Sequence, residues 1–289
     1  MPYLRHYGSE ELKQHWLPKM VAGEAIGAIA MTEPAGGSDL QNLKTSAVRD
    51  GDDYLISGQK VFISNGQMAD LVLVACKTDR DAGAKGISLI LVETDRDGFA
   101  RGKNLDKLGW KAQDTSELFF DNVRVPASNL IGGVEGRGFY QMMEQLPQER
   151  LMQAVRASAN LEAALEWTVE YTTERKAFGG TIADLQNTRF KLADVKTQAV
   201  MLRVFTDRCI ELHMQGKLDG TDAAMVKMVT SETLGECLDT CLQMFGGYGY
   251  MSEYLIARAW VDARMTRIAG GTCEIMREII GRSIVGRGK

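Results

Sequence analysis

The rhythm of hydrophobic positions changes near residue 130. Before it, apolar residues come in short runs separated by turn-formers. Ala25–Met31, Asp70–Cys76 and Gly86–Glu93 read as buried strands, and Tyr54–Ser57, Val61–Ser64, Leu118–Phe120 and Val123–Val125 as shorter ones. Gly51-Asp52-Asp53 and Asn65-Gly66 are turn signals between them. This pattern predicts a small antiparallel β-domain, barrel or sandwich, over 25–130. The glycines at 132, 133, 136 and 138 mark a hinge. Beyond them the spacing becomes helical: Leu151, Val155, Ser158, Leu161, Leu165 and Thr168 form one stripe, and Leu192, Val195, Ala199 and Leu202 another. The periodicity predicts helices over 137–146, 147–174, 182–214, 221–244, 251–264 and 272–284. Long amphipathic helices with short connections suggest a four-helix-type bundle over 131–289. The first 24 residues hold one short helix, with Ser9 as N-cap and Glu10 and Glu11 in its first turn. The expected fold is α+β and multidomain.

Composition narrows the class. The chain has 289 residues, 45% hydrophobic and 25% charged, which fits a globular protein of one large or two ordinary domains. A net charge of −4 gives no reason to expect nucleic-acid binding. No apolar run approaches the roughly 18 residues of a membrane span, and the N-terminus carries no targeting pattern. Five cysteines, an odd number without a C-x-x-C, suggest free thiols in a reducing compartment. Three histidines give no zinc spacing, so no metal is expected. The cytoplasm is the expected location.

Candidate chemistry begins at Ala30–Asp39, Ala-Met-Thr-Glu-Pro-Ala-Gly-Gly-Ser-Asp. Its glycines permit close backbone approach to a ligand, and Thr32 and Ser38 place hydroxyls at its two ends. Phe62-Ile63-Ser64-Asn65-Gly66 ends a strand in a turn and, alone, is an ordinary hairpin. Leu108-Gly109-Trp110, Asp114–Phe120 and Val123-Arg124-Val125-Pro126 follow. Glu174–Gly179, Glu-Arg-Lys-Ala-Phe-Gly, looks like a helix C-terminus stopped by Gly179. Gln243–Gly247 and the segment Arg267–Glu274 come last.

In this combination and order, these segments resemble the acyl-CoA dehydrogenase family over essentially the whole chain. The resemblance implies FAD as cofactor, with Ile29, Ala30, Met31, Thr32, Glu33, Ser38, Phe62, Ile63 and Ser64 around the flavin. Phe62 would pack against the isoalloxazine and Ser64 would bond the nitrogen that accepts hydride. Arg175 would reach the pyrophosphate, and Gln186, Gln243, Met244, Phe245, Gly246 and Gly247 the adenosine half. Thr272 and Glu274 match further flavin positions. Bound FAD would tie subunits together, so a dimer or tetramer is expected.

The base is a separate question. A carboxylate in a dry pocket can take the weakly acidic α-proton of an acyl-CoA. Many family members carry that Glu just before the Gly-Thr of the last helix, where this chain has Gly270. Leu146-Pro147-Gln148-Glu149-Arg150-Leu151 resembles instead the branches whose base sits on the other helix, with the long-chain branch closer than the isovaleryl one. Glu149 is therefore the expected base. As a first-turn residue after Pro147, beside Arg150, its pKa would be held down unless substrate desolvates it. The N–H at Gly270 would polarise the substrate carbonyl. Ser38, Tyr140, Pro147, Gln148, Glu149, Arg150 and Gly271 match acyl-CoA positions.

The resemblance implies a trans-2-enoyl-CoA product and electrons passed to an electron-transfer flavoprotein. It also implies an N-terminal helical domain of which only residues 8–20 are present, and a Met1 that matches an internal position. If that lost segment included a transit peptide, the matrix of mitochondria becomes the location. The rivals are a branched short-chain enzyme, a non-catalytic subunit that keeps the fold, and an oxidase.

Overall fold

A computed structural model describes residues 2–286; Met1 and residues 287–289, and the expectations that touch them, lie outside the described residues. Two compact units are resolved, one up to Gln145 and the other from Leu146.

In the first unit the expected single N-terminal helix is two: α1 (Pro2–Tyr7) and α2 (Glu10–Ala22). The break falls at Gly8, where a Cβ would stand 2.5 Å from the Leu4 carbonyl oxygen. Ser9 then caps α2, accepting from the Leu12 N–H at 3.2 Å, and Gly23 closes it at φ 76°.

Seven strands follow: β1 (Gly27–Ala30), β2 (Ser46–Asp50), β3 (Asp53–Ser64), β4 (Leu71–Lys77), β5 (Ile87–Glu93), β6 (Phe99–Asn104) and β7 (Thr115–Pro126). They form one sheet in the order β1-β4-β2-β3-β7-β6, with β5 paired to β4. The sheet is mixed, not purely antiparallel, because β1 runs parallel to β4, pairing Ala28 with Val72. Pairs of short runs proved to be single strands: β3 and β7 each continue through register shifts, one between Ile56 and Gly58 and one between Lys60 and Ile63. Strands β4 and β5 are apolar throughout because both their faces are covered. Val72, Val74, Ile90 and Val92 face one cluster with β3 and β7. Leu71, Leu73, Leu89 and Leu91 face another with Tyr3, Leu4 and Leu12 of the N-terminal helices.

The helix α3 (Gly138–Glu174) starts in this unit and continues as the first element of the second. It is one helix of 37 residues where two were expected, and it runs through Pro147. Proline there removes the backbone bond to the carbonyl of Met143 and does not end the helix. After a two-strand hairpin, β8 (Lys176–Ala177) and β9 (Gly180–Thr181), the second unit holds α4 (Gln186–Met214), α5 (Gly220–Met244), α6 (Leu255–Ala263) and α7 (Cys273–Val285). Residues 182–184, expected in α4, form a separate turn in which Thr181 and Asp184 cap each other reciprocally. The core joins Leu161 and Ala164 to Val195, Ala199 and Leu202, and to Leu234, Leu238 and Cys241. The small residues along these stripes let the long helices approach closely.

All five cysteines are unpaired and buried. Burial pushes the thiols of Cys76 and Cys237 up to about 12 and that of Cys209 up to about 11. No helix among the described residues is long and apolar enough to cross a membrane.

Candidate functional site

In the first unit, a buried lysine gathers the two segments singled out as a ligand loop. Lys60, fully buried, donates from Nζ to the Met31 carbonyl at 3.0 Å and to Glu33 Oε1 at 2.9 Å. Beside it the Val61 N–H donates to the Thr32 carbonyl at 3.0 Å. The loop after β1 is thus anchored to β3, some 30 residues on in the chain. Thr32 is half-buried and Ser38 exposed.

At the β3 irregularity the chain turns left-handed twice, at Phe62 (φ 59°) and Asn65 (φ 63°). A bulky residue in that region is strained, and such strain concentrates at sites. The distortion leaves the Phe62 ring 64% exposed while the residues on either side are buried. Asn65 holds the turn by donating from Nδ2 to the Gly27 carbonyl at 3.2 Å.

Three of the expected flavin residues have side chains that the fold itself uses. The Glu33 carboxylate is consumed by Lys60 and by the N–H groups of Lys44 and Thr45. Its own N–H and C=O bond Gly36, so Glu33 builds the loop instead of presenting a contact. Burial pushes its carboxyl upward, but the Lys60 ammonium and the Thr45 and Lys44 donors outweigh that and hold it below the usual value. The pair does not shift in opposite senses: burial lowers Lys60 more than Glu33 raises it. The side chains of Ala30 and Ile63 are core, which leaves at most their main chain for a ligand.

In the second unit, a helix face and a glycine turn come together. Gly270 and Gly271 are left-handed at φ 67° and 93°, and buried cations hold both carbonyls. Arg150 of α3 donates from Nε to Gly270 O at 3.3 Å, and Lys227 of α5 from Nζ to Gly271 O at 2.7 Å. With the carbonyls turned to the cations, the N–H of Gly270 donates to no group among the described residues. Burial lowers the pKa of Arg150, opposed by the Glu149 carboxylate, and burial likewise lowers Lys227. Thr272 caps α7, accepting from the Ile275 N–H at 3.3 Å. Glu274 is exposed and held below its usual value by its own backbone N–H and the Thr272 hydroxyl.

Glu149 is half-buried on α3, beside Arg150. It does not lie in a first turn: eleven residues of α3 precede it, so the start of its own helix is about three turns away. Pro147 and Gln148, the two residues before it, are half-buried. One turn beyond is Gln153, whose Nε2 lies 2.4 Å from where a Cβ on Gly270 would sit. Gly270→Ala is therefore expected to destabilise the second unit by about 1–3 kcal/mol, from backbone strain and the clash together. Thermal melts of this variant with and without Gln153→Ala check it; the second change should recover the clash part only.

The remaining assignments scatter. Tyr140 lies in the part of α3 that belongs to the first unit, half-exposed under the Arg137 guanidinium at 5.3 Å. Arg175 follows the end of α3 and lies over the Tyr248 ring at 5.6 Å. Gly179 is not a helix stop: Phe178 and Gly179, at φ 54° and 84°, form the hairpin turn between β8 and β9. Gln186 opens α4, exposed. At the end of α5, Gln243 is exposed, but the Phe245 ring is buried and stacked on Tyr171 at 4.2 Å. Its side chain is core, which leaves its main chain for the adenosine, with Gly246 and Gly247 exposed after it.

Sequence reading missed Lys60, Lys227 and Gln153. The first two had a signal: each is a lone cation in an apolar stretch, Gln59–Ile63 and Ala223–Val229. Gln153 had none.

Comparisons with known proteins cover most of the chain. Residues 28–123 match the acyl-CoA dehydrogenase middle domain, and residues 136–285 the acyl-CoA dehydrogenase C-terminal domain. The long-chain specific acyl-CoA dehydrogenase, mitochondrial, of Sus scrofa is 51% identical over 99% of the chain, which spans 66% of that protein. The crystal structure of acyl-CoA dehydrogenase from Geobacillus kaustophilus superposes at a TM-score of 0.96 with 49% identity, covering 98% of this chain and 75% of that one. A structure titled PigA with FAD and proline superposes at 0.95 with 31% identity, covering 99% and 74%.

Proposed function

The chain belongs to the acyl-CoA dehydrogenase family, and from that premise we propose that it serves the FAD-dependent α,β-dehydrogenation of a long-chain fatty acyl-CoA to the trans-2-enoyl-CoA. The observation that carries this reading is the pairing of a half-buried Glu149 with a glycine turn at 270 whose side-chain space is already filled. Glu149 is then the carboxylate assigned as the base.

The residues of the first unit fit a flavin. An exposed aromatic ring at a strained bulge, with hydroxyls at 32, 38 and 64, suits a flat heteroaromatic with polar edges. FAD, when bound, supplies the hydride acceptor. Glu149 takes the α-proton onto a carboxylate oxygen. The unspent Gly270 N–H donates to the thioester carbonyl as charge develops there. Arg150 and Lys227 fix that donor by holding the two carbonyls of the turn. The Arg175 guanidinium offers a fork suited to a pyrophosphate.

Homo-oligomer formation is supported by α4, where Val200, Met201 and Val204 are exposed together beside a groove of about 260 Å³. An electron-transfer flavoprotein is the proposed acceptor. Five free thiols suit a reducing compartment, cytoplasm or mitochondrial matrix.

The test is the visible spectrum of the chain expressed with excess riboflavin. A bound oxidised-flavin band that bleaches anaerobically with a long-chain acyl-CoA is the expected result. A retained band that no acyl-CoA of any length bleaches would replace the reading with that of a binding subunit. Bleaching only by short branched acyl groups would move the substrate to the isovaleryl class. Peroxide formed in air at the rate of turnover would make it an oxidase.

A further inference from the structure

Gln153 is part of neither the family assignment nor the turn it touches. It follows Glu149 by four residues on α3, the spacing at which helical side chains meet. Its Nε2 is turned against Gly270, where a Cβ would approach to 2.4 Å. That fixes the amide with its other end, Oε1, buried and without a hydrogen-bond partner among the described residues. Buried carbonyl oxygens are nearly always paired, so an unpaired one calls for a use.

We infer that Gln153 is a positioning residue for Glu149: its Oε1 accepts a hydrogen bond from the carboxyl O–H that Glu149 acquires when it takes the α-proton. The inference rests on Glu149 being the base. A carboxylate has no proton to give, so Oε1 is idle while Glu149 is ionised and is engaged only in the protonated form. A bond made to the neutral form alone raises a carboxyl's pKa, and so opposes Arg150. The amide thereby makes the carboxylate a stronger base without adding charge.

Arg150 acts on the same carboxyl, and further titratable groups lie on its helix and around Lys227. Arg150 is adjacent on α3, and Arg156 lies on the same helix with Asp262 of α6 near it. Lys227 and Glu232 come from α5, and Cys273 and Glu274 from the start of α7. All are unchanged by substitution at 153, so a difference between variants reports the amide.

The experiment is a carboxyl-carbon NMR titration of the full chain labelled at glutamate, in wild type, Gln153→Met and Gln153→Leu. The Glu149 resonance is the one lost in Glu149→Gln. Both apolar variants are expected to lower the Glu149 midpoint by roughly half to one pH unit, the scale of one hydrogen bond. The acid limb of acyl-CoA-dependent flavin reduction should move the same way. An unmoved or raised midpoint in whichever variant folds would overturn the inference and leave Gln153 a space-filler. The underlying reading fails separately: if Glu149→Gln turns over acyl-CoA like the wild type, Glu149 is not the base, whatever residue 153 does.

Discussion

Glu149→Gln is expected to slow acyl-CoA-dependent flavin reduction by about 100- to 10,000-fold, the range for loss of a positioned general base. The substitution keeps volume and helix propensity, and Glu149 lies mid-helix, so flavin content and melting temperature should stay at wild-type values. The amide cannot take the α-proton, and the Gly270 position offers no replacement while Gln153 fills its side-chain space. The loss should fall on kcat, because the thioester and CoA contacts persist. Stopped-flow bleaching of the bound flavin measures it. A variant that bleaches at the wild-type rate would remove Glu149 from the chemistry and return the search for the base to the 270 turn.

The second large effect is on stability. Lys60→Met is expected to cost the first unit about 3–5 kcal/mol, because it leaves the Glu33 carboxylate buried without its cation. Met fits the volume, so the loss is electrostatic, and urea unfolding should show a lower midpoint at unchanged slope. The pH dependence gives a sharper check. In the wild type Glu33 is held below its ordinary value of 4.5. Its contribution is therefore present above that value and lost as pH falls through the folded pKa. In the variant the cation is gone and burial dominates, so the carboxyl rises and the folded state binds the proton more tightly than the unfolded one. The penalty of Lys60→Met should then shrink as pH drops below about 5. A penalty constant between pH 7 and pH 4.5 would mean that packing, not charge, is lost. Because Glu33 also terminates the N–H groups of Lys44 and Thr45, Lys60→Met with Glu33→Leu should not restore full stability.

The change from strands to helices along the chain and the helix stripes were legible because period-2 and period-3.6 burial leave direct marks on the sequence. The strands β4 and β5 were found by a different mark, a continuous apolar run that follows from burial of both faces. What was misread lies where one local rule was overruled by packing. Pro147 signals a helix start, yet neighbouring turns carried α3 through it. Gly179 signals a helix stop, yet the left-handed pair Phe178-Gly179 made a hairpin. The parallel pairing of β1 with β4 is a long-range fact with no local mark. In the candidate site, motif resemblance pointed to the loop at 30–38, Phe62, Glu149 and the 270 turn, whose roles are the ones proposed above. It could not tell which of those residues face a ligand. The side chains of Glu33 and Phe245 are engaged by the fold, and no local pattern marks this because their partners, Lys60 and Tyr171, are distant in sequence. Gln153 was invisible because a glutamine on a helix carries no pattern until the glycine opposite it is in place.

The thiols give the chain a built-in clock. Alkylating reagents attack the thiolate, and all five cysteines are buried, spread over both units, with burial raising each one. Reaction therefore waits on opening, and each site reports a different event: Cys76 the loosening of the sheet, Cys237 and Cys241 the parting of the helices, and Cys273 the first turn of α7. Timed labelling would order these openings without any engineered probe, and would show whether ligand that settles on the 270 turn slows Cys273 before it slows Cys76.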